Sequence, residues 1–227
     1  RLGLNRSDMS GTRHALTAQK ITQKAVEMAD QNGLEALSMR KLAGALNATA
    51  MSIYNHVKGK EELHTLMLDH VINEFEHPDI DGEWKTMLKR RAISVYAALK
   101  RHKWALTLML TKSAPTSATL RDTDRVVGCL RNAGFSFKQV DWAHNAIESH
   151  IYGYTIQELN FPVEPDEYQS AAQHFLPHIS LKEFPHAHAS AKAVADGDYH
   201  GMTDFEFGLD LLIESIAAWQ AKNQQAE

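Results

Sequence analysis

Residues 49–60 read TAMSIYNHVKGK, and the groups there that can do chemistry are hydroxyls, an amide, an imidazole and two ammonium groups, with no carboxylate among them. Thr49, Ser52, Tyr54 and Asn55 offer donors and acceptors suited to base edges or phosphates, and Ala50 is small enough to enter a groove without clashing. Lys58 and Lys60 open the next helical stretch, where ammonium groups and free N–H groups both favour anions. A segment so short of negative charge is expected to meet a partner that carries it. The other candidates are sparser. His144 and Glu148 stand one helical turn apart and can contact a polar ligand group or each other. His174 and His178 have a spacing that can hold a divalent ion, with His186 and His188 following, but no paired cysteine or carboxylate cage accompanies them, so no metal is expected. Cys129, next to Val126 and Val127, suits an inert core thiol. No Gly-rich phosphate loop, Gly-x-Ser-x-Gly elbow or His-Glu-x-x-His appears, so neither an enzyme nor a cofactor is expected.

The elements that must position the 49–60 segment are helical. Thr17 can cap a helix running to about residue 31, with Ile21, Ala25, Met28 and Ala29 on one face, and Asn32-Gly33 stops it. Ser38 can cap a second helix over 39–46. Ala43, Asn47 and Ile53 then have the spacing of a helix-turn-helix: a small residue where two helices touch, a residue tolerant of left-handed backbone at the turn, and an apolar residue closing the core. A long helix over 60–76 carries Leu63, Leu66, Met67, His70, Val71 and Phe75 as a buried stripe, and Pro78 ends it. Further helices are expected over 83–101, 103–112, 116–133, 137–160, 166–179 and 203–221. Residues 161–202 hold four of the six prolines and read as a loop-rich excursion around one short helix. The turn over 77–82 is the expected seam between domains. No alternating strand pattern or hairpin turn is present, so the expected class is all-α.

Charge divides the 227 residues unevenly. The net charge is −4, yet residues 1–60 hold nine Lys and Arg against four Asp and Glu. A basic head on an acidic body suggests that the head meets a polyanion, and double-stranded DNA is the expected partner. A hydrophobic fraction of 44% is ample for a core, and the longest uncharged apolar stretch, 104–110, is too short to span a bilayer, so no membrane partner is expected. A single cysteine and no visible signal peptide suit the reducing cytoplasm.

The stretch LSMRKLAGALNATAMSIYNHVKGKEELH resembles the DNA-binding head of the tetracycline-repressor (TetR) family, the run Tyr54 to Lys60 being its most specific part. More weakly, FEFGLDLLIES (205–215) is similar to the last helix of the family's C-terminal domains. The resemblance implies a homodimer of two-domain, all-helical subunits: a three-helix helix-turn-helix head over 1–62 and a larger effector-binding and dimerisation body over 63–227. It puts base contacts on Ala50, Met51 and Tyr54, with Arg40 reaching in from the preceding helix. It puts phosphate contacts on Met39, Ser52, Asn55, His56 and Lys60, although Met39 stands where the family often has a hydroxyl. Ala50 and Met51 can pack on thymine methyls but make no polar base contact.

The body is larger than a dimer clip needs, and in this family it usually houses a small-molecule pocket. Met87, Trp104, Leu106 and Met109 are candidates for an apolar lining, with His144 and Glu148 as polar anchors; core packing explains the apolar four equally well. Members that bind magnesium-tetracycline carry His-Leu-Gly-Thr where this chain has Met109-Leu110-Thr111-Lys112, so that ligand set is not carried over and the expected effector is mainly apolar. Helices 137–160 and 203–221 would form the dimer's four-helix bundle, with Leu209, Leu212, Ile213 and Ile216 as the seam and Gly153 and Gly208 as points of close approach. The expected function is a repressor released from a palindromic operator by such a molecule. The alternatives are a DNA-binding dimer without an effector and a His-rich, metal-dependent enzyme.

Overall fold

A computed structural model describes residues 15–111, 114–199 and 204–224, and among these every regular element is helical. Arg1, Arg6, Asp8 and Arg13, which enter the charge count of the head, lie outside the described residues. The α-helices are α1 (Ala18–Asn32), α2 (Met39–Ala45), α3 (Ala50–Tyr54), α4 (Lys60–Ile72), α5 (Trp84–Arg101), α6 (Lys103–Thr111), α7 (Ser117–Asn132), α8 (Phe137–Leu159), α9 (Tyr168–Phe175), α10 (Pro185–Asp196) and α11 (Phe205–Gln224). Hydroxyl caps set several starts. Thr17 and Ser38 accept from the N–H groups of Lys20 and Lys41, and Ser136 and Gln139 close a reciprocal capping box on α8.

In the head, Ile21, Ala25 and Ala29 of α1, Leu42 and Ala43 of α2, Ile53 of α3 and Leu63 and Met67 of α4 share one buried cluster. That cluster runs on without a break into the body, through Val95, Leu99, Leu130, Ile147, Ile151 and Leu209. α4 is the bridge, packing on α1 at one side and on α6 and α7 at the other. In the body α5, α8 and α11 pack on one another, with α7 against α4, α5 and α8. Cys129 is buried there, and its thiol is pushed up chiefly by burial, as an inert core group should be.

Three expectations need correction. α4 ends at Ile72 rather than near residue 76; the Glu74 and Phe75 N–H groups donate three residues back, to the Val71 and Ile72 carbonyls, and the Glu76 N–H donates to the Ser94 hydroxyl at 2.8 Å. The excursion over 161–199 holds two α-helices, α9 and α10, not one. α10 has Pro185 in its first turn and a left-handed Gly197 (φ 84°) just past its end, but its Ala- and His-rich sequence has no strong apolar stripe to betray it. Finally, Leu209, Ile213 and Ile216 face the subunit's own core and cannot form an outward seam. Of the two glycines, Gly208 is needed inside the subunit, because a Cβ there would sit 2.6 Å from the His150 ring, whereas Gly153 has open space over it.

Candidate functional site

The turn between α2 and α3 is built as the residue types demand. Asn47 adopts left-handed backbone (φ 50°), the sole non-glycine to do so among the described residues. The Ala48 N–H donates back to the Ala43 carbonyl at 2.9 Å, and Ile53 is fully buried under the corner. Thr49 caps α3, accepting the Ser52 N–H at 3.1 Å and sharing a 2.8 Å hydrogen bond with the Ser52 hydroxyl. With the helix anchored so, Ala50, Met51 (71% exposed), Tyr54, Asn55 and His56 face solvent, as do Arg40 on α2 and Lys58 and Lys60 beyond the turn.

Two details differ from expectation. Met39 packs against the head core, so it is not presented as a phosphate contact. The start of α4 is less electropositive than the run through Lys60 suggests, since Glu61 and Glu62 occupy its first turn and the Glu62 carboxylate accepts the Lys58 N–H. The exposed cationic side chains around this corner are Arg40, Lys58 and Lys60.

The body holds a cavity of about 300 Å³ lined by Leu68 and Ile72 of α4, Met109 of α6, Ala114 and Pro115, Thr116, Thr119 of α7 and Tyr152 of α8. Hydrocarbon dominates its walls, with two threonine hydroxyls and a phenol for orientation, the mix expected of a small-molecule site. Behind Tyr152 lies a charge cluster. Arg91, 3% exposed, holds Asp122 through two bonds (3.0 and 2.6 Å) and Glu148 through a third (2.6 Å). His77 Nδ1 stands 3.1 Å from Asp122, and His144 Nε2 lies 3.6 Å from Glu148, an ion-pair contact longer than a hydrogen bond. Burial pushes the Glu148 carboxyl up, but the Arg91 charge together with His144 and the Tyr152 phenol outweighs it and holds the group down to about 2. The Tyr152 phenol, half-buried and bonded to that carboxylate, is pushed upward, chiefly by burial.

Of the six residues expected at an effector site, the structure therefore brings Met109 to the cavity, sets Glu148 and His144 behind it, and buries Leu106 in the core. Met87 packs on Gly82, and the Trp104 indole donates to Asp30 of α1 at 2.6 Å, so both are engaged elsewhere. Sequence reasoning missed Arg91 and Tyr152. A signal existed for the first: Arg91 falls within the stripe of Leu88, Ala92, Val95 and Leu99, and a charge on a buried stripe requires partners. A larger apolar groove, about 460 Å³, lies between α9 and α10, but its lining includes no residue of α4. Among the described residues no group of three or more His, Cys, Asp or Glu is placed to hold a metal; His188 instead bonds the Ile179 carbonyl.

Two family descriptions match the chain: bacterial regulatory proteins of the tetR family over residues 21–65, and the tetracyclin repressor-like C-terminal domain over residues 77–219. An HTH-type transcriptional regulator of Saccharopolyspora erythraea is 30% identical over 210 residues, covering 92% of this chain and 88% of that one. The HTH-type transcriptional repressor DrrR1 of Streptomyces coeruleorubidus is 32% identical over 151 residues, which are 66% of this chain but only 56% of that protein's length. Among solved structures, ActR of Streptomyces coelicolor in complex with (S)-DNPA superposes with a TM-score of 0.72 at 22% identity, covering 89% of this chain and 98% of that one. BioQ with its double-stranded DNA operator gives 0.61 at 21% identity, covering 90% and 99%. At these identities the structural likeness speaks for the fold alone.

Proposed function

Because this chain belongs to the bacterial tetR family of regulatory proteins, we propose that it is a ligand-responsive transcriptional repressor acting as a homodimer in the cytoplasm. Each subunit presents α3 to one half of a palindromic operator. A small, mainly apolar molecule entering the cavity beside Met109 and Tyr152 releases the DNA. One observation carries the reading: α4 walls the cavity with Leu68 and Ile72 and packs on α1 of the head, so occupancy of the cavity bears on the element that places α3. The effector must prefer the arrangement that does not bind DNA, and its effect is limited by that preference. Relatives described as repressors, an ActR structure holding a small molecule and a BioQ structure holding its operator support this reading. Magnesium-tetracycline is a poor candidate here, since the thioether of Met109 is a weak ligand for a hard cation.

The test is a gel shift with DNA flanking the protein's own gene, repeated with metabolite mixtures. A retarded band that a mixture dissolves supports the reading; no shift with any flanking DNA refutes it. Within that assay Tyr54→Ala is expected to weaken specific binding by about 1–3 kcal/mol while barely changing affinity for random DNA. Lys60→Ala should weaken both equally. An unchanged ratio of specific to random affinity in Tyr54→Ala would mean that α3 does not read bases.

Dimerisation is assigned to the outward faces of α8 and α11. They leave Trp142, Ile156, Phe207 and Leu211 (56% exposed) uncovered, and Gly153 open for a close approach. Leu211→Asp is expected to give folded monomers, with sedimentation shifted to half the mass and a melting temperature that falls and no longer depends on protein concentration. Ile216→Asp, by contrast, should unfold the body because Ile216 is a core residue. A dimer that survives Leu211→Asp at micromolar concentration would move the interface elsewhere.

A further inference from the structure

His102 closes the C-terminal end of α5, its N–H donating to the Ala98 carbonyl at 2.8 Å, and its ring is almost wholly buried. Both ring nitrogens face carboxylates from other elements. Nδ1 lies 2.8 Å from Asp30 Oδ1 on α1, and Nε2 lies 3.3 Å from Glu74 Oε1 just beyond α4. A neutral imidazole has one N–H, so it can donate to one of them only; the other nitrogen would turn a lone pair toward a carboxylate oxygen. Both bonds coexist only in the imidazolium. Histidine is the side chain that ordinarily exchanges its proton between pH 5 and 8.

We propose that His102 is a proton-operated latch between the head and the body, joining α1 to the end of α4 fully only when charged, so that proton uptake fixes the head and tunes operator affinity. The regulatory half rests on reading the head as a DNA-binding unit. The groups facing His102 are Asp30 from α1, Glu74 from the end of α4 with His70 3.9 Å from that carboxylate, Arg101 from α5 on the far Glu74 oxygen, and from α6 the neutral indole of Trp104. Burial pushes the Glu74 carboxyl up, but Arg101 and the charge on His102 outweigh it and hold it below the ordinary range, so the carboxylate stays available as the latch's keeper. When the proton leaves, Arg101 and Trp104 keep their bonds, and α1 loses its shared charge with α4. The head then loosens without unfolding.

The test uses the full chain, wild type against His102→Gln, which keeps one donor but cannot titrate. Hydrogen exchange of α1 amides, corrected for intrinsic rates, is measured at pH 6 and pH 8 without DNA. Wild-type protection is expected to fall roughly tenfold from pH 6 to pH 8, the size of one charge-assisted bond, while His102→Gln stays flat. His70→Gln, which removes only a neighbour of Glu74, should keep the wild-type response. If His102→Gln folds poorly, Asp30→Asn should show the same flattening. The ratio of wild-type to His102→Gln operator affinity, which cancels the contribution of His56 on the DNA face, should shift at least threefold over the same range. Equal pH responses of wild type and His102→Gln in exchange overturn the latch. A latch that opens while the affinity ratio stays constant overturns its regulatory role and leaves DNA binding intact. Absence of operator binding at every pH refutes the repressor reading, and exchange then judges the latch alone.

Discussion

Arg91→Ala is expected to destabilise the body by about 3–5 kcal/mol, the usual cost of leaving buried charges without their partner. Asp122 and Glu148 both lie deep in the fold, and three of their bonds go to this one guanidinium. The loss should carry a pH signature. In the wild type Glu148 is held down to about 2 against an ordinary 4.5, so its stabilisation is fully present above pH 4.5 and is lost as pH falls from there toward about 2. Without Arg91 the largest lowering cause is gone and burial is opposed only by His144 and Tyr152, so the variant should gain stability relative to wild type on acidification. Chemical denaturation at pH 7 and pH 5 reads both effects. A variant as stable as wild type at pH 7 would show that water, not Arg91, satisfies the two carboxylates. Arg91→Met combined with Glu148→Gln should recover part of the loss, because it removes a charge from each side. The same cluster braces Tyr152, so these variants should also blunt release by an effector more than they weaken DNA binding.

Raising salt from 50 to 200 mM is expected to weaken operator binding by about 10³-fold. The estimate follows from Arg40, Lys58 and Lys60, all exposed beside α3 in each subunit of a dimer, which together would displace about six counterions. The logarithmic slope should therefore be about −5, and each Lys→Ala substitution, which removes one contact from each subunit, should lessen it by about 2. Fluorescence anisotropy with a labelled operator measures it directly. A flat salt response would mean that the carboxylates of Glu61 and Glu62, at the mouth of the same corner, cancel the lysines and that the head does not grip phosphate.

The helix-turn-helix was legible in the sequence because it is local. Ala43, Asn47 and Ile53 are ten residues apart at most, and each type has one reason to be there: smallness at a contact, tolerance of left-handed backbone, and an apolar plug. Helix periods and hydroxyl caps are local in the same way, which is why α1, α2, α5, α7 and α8 lie close to where the residues placed them. The outward-facing set followed from that local frame, since burying Ile53 leaves Tyr54, Asn55 and Met51 exposed. Met39 was the exception, because its packing partners come from the rest of the head.

What depends on distant residues had to wait for the tertiary structure. A stripe of Leu209, Ile213 and Ile216 announces that one face of α11 is buried, but apolar periodicity is the same whether the cover is α5 and α8 of one subunit or a second copy; only the packing showed that the cover is internal. Trp104 and Met87 read as cavity residues by type, and the fold spent them on Asp30 and Gly82 instead. Glu148 and His144 were found as a pair one turn apart, whereas the residue that governs Glu148, Arg91, is 57 positions away and meets it only because α5 crosses α8. His102 between Asp30 and Glu74 spans 72 residues on one side and 28 on the other. The sequence by itself determined most of the helices, the helix-turn-helix corner and the kind of partner it suits, since these depend on neighbours along the chain. The cavity, its buried charges and the tie between head and body were decided by tertiary packing, because an electrostatic partner is chosen by distance in space and not by distance along the chain.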